Sequence, residues 1–187
     1  MKVSVRRSSL RRLLKWTQRA LLAGAVLMLG YCGFVLMDAW MFQHRAAQTL
    51  EHPRTAAPEG LIGRIEIQRL GMSVAVAEGT DDPTLRRAVG HIAGTALPGQ
   101  LGNIGIAAHR DTFFRPLRNI RRDDIITLTT LRGQYRYRVV STKVVDPADV
   151  AVLNSDGSEI LTLVTCYPFY FVGSAPRRFI VRAARVL

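Results

Sequence analysis

The sequence predicts a mainly β domain, a barrel or sandwich with short helices, carried behind one N-terminal transmembrane helix. Three observations predict it. Residues 20–37 form an uncharged, apolar run of eighteen residues. From residue 61 onward, short strand-like runs follow one another at near-regular spacing, separated by Gly, Pro and Asp turn signals. The charge is also lopsided: the 187 residues carry 26 Lys or Arg against 14 Asp or Glu, a net +12, yet seven of the basic residues fall in residues 1–19 with no acid among them. With 48% apolar and 21% charged residues the composition is that of a folded chain. Two cysteines exclude a disulfide-stapled scaffold or a Cys-rich zinc module.

The apolar run Ala-Leu-Leu-Ala-Gly-Ala-Val-Leu-Met-Leu-Gly-Tyr-Cys-Gly-Phe-Val-Leu-Met would extend about 27 Å as a helix, close to the hydrocarbon thickness of a bilayer. Trp40 and Phe42 follow it where an aromatic belt lies. A cleaved signal peptide normally has a shorter apolar region, and no A-x-A site follows Met37. The reading is an uncleaved signal anchor over residues 20–42 behind a basic tail, residues 1–19. By the positive-inside rule the tail stays cytoplasmic and the remainder lies outside the membrane, in contact with the lipid bilayer through its anchor. Nucleic acid is thereby excluded as a partner, although a pI near 10.9 first suggests it.

Residues 43–60 are polar, contain Ala and Pro, and keep no sustained period, which reads as a stalk or frayed helix. His44 and His52 there are solvated linker residues. The domain spans residues 61–187. Strands are expected at 63–67 and 72–77 around the turn Arg69-Leu70-Gly71. A short helix follows, with Asp82 as N-cap, Pro83 as first residue and Gly90 as its stop. Leu97-Pro98-Gly99-Gln100 is a turn, 103–109 a buried strand, and 112–119 irregular or one helical turn. Strand 125–130 turns at Arg132-Gly133 into 135–145, where Tyr135, Tyr137 and Val139 share one face and Arg136 and Arg138 the other. Residues 146–153 form a short helix or loop, 159–165 a strand, and 179–186 the closing strand.

Chemistry concentrates at three places in this domain. Cys32 lies in the apolar run as a small hydrophobe, so Cys166 is the one cysteine outside it, a lone thiol in a disulfide-permissive compartment. It ends a strand and opens a long loop, the sort of place where sites are built. His109 ends another strand, and Arg177-Arg178 begins the last one. A thiolate is a nucleophile that its surroundings must activate. An imidazole serves as acid to a leaving amine and base to the incoming one, and a guanidinium stabilises a developing oxyanion. Each residue alone has a bland reading: a buried cysteine, a structural histidine, a strand-edge arginine.

Taken together, their surroundings resemble the sortases, membrane-anchored cysteine transpeptidases of the bacterial cell surface. Thr162-Leu163-Val164-Thr165-Cys166 resembles the family's TLxTC motif. Gly102-Asn103-Ile104-Gly105-Ile106-Ala107-Ala108-His109-Arg110-Asp111, continuing through Thr112-Phe113-Phe114-Arg115-Pro116-Leu117, resembles the segment around its histidine. Ala175-Pro176-Arg177-Arg178-Phe179-Ile180-Val181 resembles the strand bearing its arginine. The resemblance implies a closed eight-stranded sortase-type β-barrel with catalytic His109, Cys166 and Arg178, Arg177 not taking that role, and Thr165 lining the substrate site. It implies cleavage after Thr in an LPxTG-like sorting signal, through a thioacyl-enzyme resolved by a cell-wall precursor amine. The implied partners are surface proteins with a C-terminal sorting signal and that peptidoglycan precursor. No cofactor and no metal is implied, since no carboxylates cluster as a calcium site would need.

His91, in Gly90-His91-Ile92-Ala93-Gly94-Thr95, is read as structural or site-adjacent. The Thr-Cys-Tyr-Pro-Phe and Asp-Thr-Phe-Phe-Arg runs look most like class D. His52-Pro53-Arg54 is no DP-aromatic lid, so anchoring of single proteins is expected over pilin polymerisation. Two alternatives remain open at this point: a thiol peptidase hydrolysing the same signal, and a non-catalytic sortase-like binding protein.

Overall fold

A computed structural model describes residues 7–51, 57–170 and 173–186, with side chains from residue 10. The reading of His52-Pro53-Arg54 lies outside them. The chain divides into two units, Met1–Asp38 and Ala39–Leu187.

Within the first unit a helix, α1 (Arg7–Glu51), begins, and Leu21, Leu27, Leu29, Phe34 and Leu36 point outward all around it. A helix apolar on every face is stable only in an apolar surround, and this one is long and apolar enough to cross a membrane. The last turns of α1 belong to the second unit, where they pack on the domain. Phe42 and Ala46 are buried against Ala75, Ala77 and Ala88. The Gln43 side chain accepts from the Ala75 backbone N–H at 2.9 Å and donates to the Arg87 carbonyl at 2.6 Å.

The domain is a closed eight-stranded barrel. Its strands are β1 (Leu61–Ile67), β2 (Met72–Glu78), β3 (Val89–His91), β4 (Gly102–Ala107), β5 (Ile125–Thr130), β6 (Gly133–Val145), β7 (Glu159–Tyr167) and β8 (Arg177–Val186). The order around the barrel is β1-β2-β3-β4-β7-β8-β6-β5, with β2–β3 and β4–β7 parallel. Alternate residues fill the interior: Ile65 and Ile67 of β1, Tyr137 and Val139 of β6, Leu161 and Leu163 of β7, Val181 and Ala183 of β8. Burying each of the larger ones is worth about 1.5–3 kcal/mol. At one end Phe114 and Leu117 cap the core, both fully buried.

Two local expectations shift. The helix after β2, α2 (Asp82–Arg87), is capped by Asp81, whose carboxylate accepts from Thr84 N–H, rather than by Asp82. Proline is tolerated at either of the first two helical positions, so the pattern slides by one residue. That bond also holds the Asp81 carboxyl below the usual carboxylate range. Gly90 does not stop this helix. It is the middle of β3, the strand that joins β2 to β4 and closes the barrel. A Cβ there would lie 2.2 Å from the Gly79 carbonyl oxygen, so glycine is required for the close approach of two backbones.

Tyr137 is fully buried, and its hydroxyl has no hydrogen-bond partner among the described residues. Burial pushes its pKa up to about 12. An unpaired buried hydroxyl costs its desolvation. Tyr137→Phe keeps the ring and removes that cost, so thermal denaturation is expected to show a gain of about 1 kcal/mol. A loss of similar size would mean the hydroxyl has a partner.

Candidate active site

The site lies at the barrel end where β4 and β7 finish and β8 begins. Cys166 is the penultimate residue of β7, half-buried and not disulfide-bonded. In the antiparallel β7–β8 pair its direct partner is Arg178, and Tyr167 pairs with Arg177. Directly opposed residues share a face with Cβ atoms about 4.5–5.5 Å apart. The register therefore puts Arg178 beside the thiol and Arg177 on the other face. Leu161, Leu163 and Thr165 point into the barrel, so Val164 and Cys166 point out.

His109 arrives from the neighbouring strand. β4 runs parallel to β7 with Ala107 opposite Val164, and the Ala108 N–H extends the ladder to the Val164 carbonyl. His109 stands two residues past the strand in a turn, where its carbonyl accepts from Phe114 N–H at 3.2 Å. Thr165 is 2% exposed, and its hydroxyl donates to the Ala108 carbonyl at 2.8 Å. It lies behind the cleft, tying the chain before His109 to the residue before Cys166.

His109, Cys166 and Arg178 line one cleft of about 270 Å³, with Arg110, Asp111 and Gly173 to Ala175 as its other walls. Among the described residues no hydrogen bond joins the Cys166 thiol to the His109 ring; both face the same cleft. Arg178 Nη1 donates to the Ala175 and Arg177 carbonyls at 3.4 and 3.2 Å, which leaves other donors of its planar fork for a ligand. Farther along the same outer face, a second cleft of about 350 Å³ is lined by Ile180, Arg182, Lys143 and Val152 among others.

The sequence marks Arg110 only by its place beside His109. Its Nη1 donates to the Pro168 carbonyl at 3.0 Å and its Nη2 to the Gly173 carbonyl at 2.9 Å. One guanidinium thus staples the start of the β7–β8 loop and a point beyond its middle to the turn that carries His109. No spacing rule foretells two carbonyls so distant in sequence. Loosening this loop displaces a wall of the cleft, and misplacement of about 1 Å can cost about 100-fold in rate. Arg110→Ala is expected to lower kcat/KM about 10- to 100-fold and to speed proteolysis within 168–176. Arg110→Lys rescues little, because an ammonium lacks the fork. Steady-state kinetics and limited digestion check both.

His91 is elsewhere. It is 3% exposed, with Nδ1 3.0 Å from Glu78 Oε2 and Nε2 3.0 Å from both the Ala96 carbonyl and the Thr95 hydroxyl. The Thr95 hydroxyl in turn accepts from Gly105 N–H, so this group braces the β3–β4 connection against β4.

A thiol, an imidazole and a guanidinium around one cleft at the end of a closed barrel match the make-up of a cysteine transpeptidase. The sortase domain family matches residues 65–186, and the chain belongs to this family of cysteine transpeptidases. It is 31% identical to Sortase D of Bacillus subtilis (strain 168) over 192 residues, covering 89% of this chain and 96% of that one. Among solved structures it is similar to a Clostridium perfringens Sortase D5 transpeptidase, with TM-score 0.69 and 26% identity over 81% of this chain and 99% of that one. It is also similar to Sortase A from Corynebacterium diphtheriae, with TM-score 0.65 and 33% identity over 75% and 66% of the two chains. The class D likeness and the barrel are thus shown, and the apolar N-terminal helix fits a membrane anchor.

Proposed function

We propose that the chain is a single-pass membrane transpeptidase that cleaves an LPxTG-like sorting signal after Thr and transfers the acyl part to a cell-wall amine. The observation that carries this is the gathering of His109, Cys166 and Arg178 on one cleft. Cys166 Sγ attacks the Thr carbonyl carbon, and the C–N bond breaks as His109 protonates the departing amine. Arg178 donates to the oxyanion of each tetrahedral intermediate. An amine of a peptidoglycan precursor, deprotonated by His109, then attacks the thioester and frees Cys166. Thr165 acts through position, holding the His109 turn in register with Cys166. Water resolves the same thioester when no amine is supplied, so hydrolysis is the side reaction of one site.

The residues upstream of the scissile bond lie along the outer face of β7 and β8 toward the cleft at Ile180 and Arg182. The basic tail holds the N-terminus in the cytoplasm and the barrel outside it. The sequence His52-Pro53-Arg54, which is no DP-aromatic lid, supports anchoring of single surface proteins rather than pilin polymerisation. The test is to mix the full chain, in detergent micelles, with a sorting-signal peptide and an amine and to separate the products. Transferred product that gives way to hydrolysed product when the amine is withheld supports the reading. Absence of both products overturns it.

A further inference from the structure

The connection between β4 and β5 carries far more charge than the catalytic reading uses. Arg115, Arg118, Arg121 and Arg122 are all exposed along it. The flanking acids compensate only in part. The Asp124 carboxylate is taken by Arg69, with Nη2 to Oδ2 at 2.6 Å, leaving Asp111 and Asp123 as the exposed acids of the segment. Phe114 and Leu117 turn inward to cap the core, so Arg115 and Arg118 project away from the barrel end. The segment is held on two sides. Arg69 Nη2 donates to the Asn119 carbonyl, and Arg118 Nη1 donates to the hydroxyl of Tyr170 at 2.6 Å.

This cationic surface is bordered by exposed aromatics. Tyr170 is 78% exposed, with the Arg118 guanidinium over its ring. Trp40, 61% exposed, lines one cleft together with Phe113, four residues past His109. Trp40 is also three residues beyond Met37, where the uncharged run ends. Chain connectivity alone keeps it within about 11 Å of that point. Arginines and amphipathic aromatics at such a position match a headgroup layer in both charge and polarity.

We propose that this end of the catalytic domain docks on the anionic phospholipid headgroups of the bilayer that holds the chain's own helix, with Trp40 and Tyr170 at headgroup level. The active-site cleft then opens at the membrane surface, where an amine carried on a lipid and a protein still held by its apolar tail are both presented. The inference rests on the anchor reading and not on the peptide chemistry, and its test runs in a catalytically dead background.

The full chain with Cys32→Ala, Cys166→Ala and Asn119→Cys is labelled at the new thiol with an environment-sensitive dye. It is reconstituted in phosphatidylcholine vesicles, or in vesicles with about 30% phosphatidylglycerol, each doped with a headgroup-level spin-labelled quencher lipid. Quenching is expected to be at least about threefold stronger with the anionic lipid and to vanish in about 0.5 M salt. It should also be lost when Arg115, Arg118, Arg121 and Arg122 are all replaced by Gln, with an unchanged thermal melt verifying the fold. Equal quenching in both vesicles, or full quenching retained by the folded four-fold variant, overturns the proposal. So does a dye response to soluble polyglycerol phosphate with none to phosphatidylglycerol, which would assign the surface to a wall polymer.

Discussion

Cys166→Ala is expected to abolish both cleavage and transfer, at least roughly a 10⁴-fold loss in kcat, because among the described residues Cys166 is the one thiol lining the cleft and the Ser174 hydroxyl beside it is a far weaker nucleophile. The barrel itself should be unaffected. Cys166 is half-buried on the outer face, and its loss leaves a methyl group where the interior is untouched. Substrate binding should therefore survive: a fluorescent sorting-signal peptide is expected to bind the variant within about threefold of the parent affinity. Measured turnover within tenfold of the parent would remove Cys166 from the chemistry.

The second large effect concerns Arg178. Its register partner is Cys166, and its fork has donors beyond those holding the Ala175 and Arg177 carbonyls. Donors aimed at a developing oxyanion are worth about 10²- to 10³-fold in kcat. Arg178→Ala is expected to lose that much in kcat with a smaller rise in KM, and Arg178→Lys to recover only part of it, since a point charge cannot serve two acceptors in one plane. Arg177→Ala, one residue away on the other face, is expected to stay within about threefold of the parent. If the two alanine variants lose activity equally, the loss comes from loop charge rather than from register.

That one-residue difference shows what the sequence carried and where it stopped. The alternation of Tyr135, Tyr137 and Val139 against Arg136 and Arg138 was readable, because a half-buried strand writes a period of two into its residues. The uncharged run 20–37 was equally readable as a helix long and apolar enough to cross a membrane. β3 was not: Val89-Gly90-His91 is too short to display a period, and its existence depends on β2 and β4 flanking it. Gly90 looked like a helix stop, because a glycine needed for backbone approach and one needed for a left-handed cap are the same letter. The Asp81 cap was ambiguous for a similar reason, two aspartates preceding one proline.

At the site, the motifs around His109, Cys166 and Arg178 announced the three residue types but not their arrangement. Cys166 is set beside Arg178 by the β7–β8 register, and the parallel β4–β7 ladder, which joins residues more than fifty positions apart, brings His109 to the same cleft. The Thr165 hydroxyl on the Ala108 carbonyl and the Arg110 staple to Pro168 and Gly173 are long-range in the same way. Thr165 could be flagged by its place beside the thiol, although its contact faces the opposite direction from the cleft. Packing of Phe42, Gln43 and Ala46 on Ala75, Ala77 and Ala88 likewise prolongs α1 to Glu51 where the local sequence shows no helical period.

The most direct measurement of the central claim is the mass of the enzyme after brief incubation with a sorting-signal peptide in the absence of amine, followed by acid quench and peptide mapping. The account predicts an adduct of the acyl fragment ending in Thr, located on Cys166 and discharged by hydroxylamine. No adduct while the peptide is being cleaved, or an adduct that persists in Cys166→Ala, would contradict it.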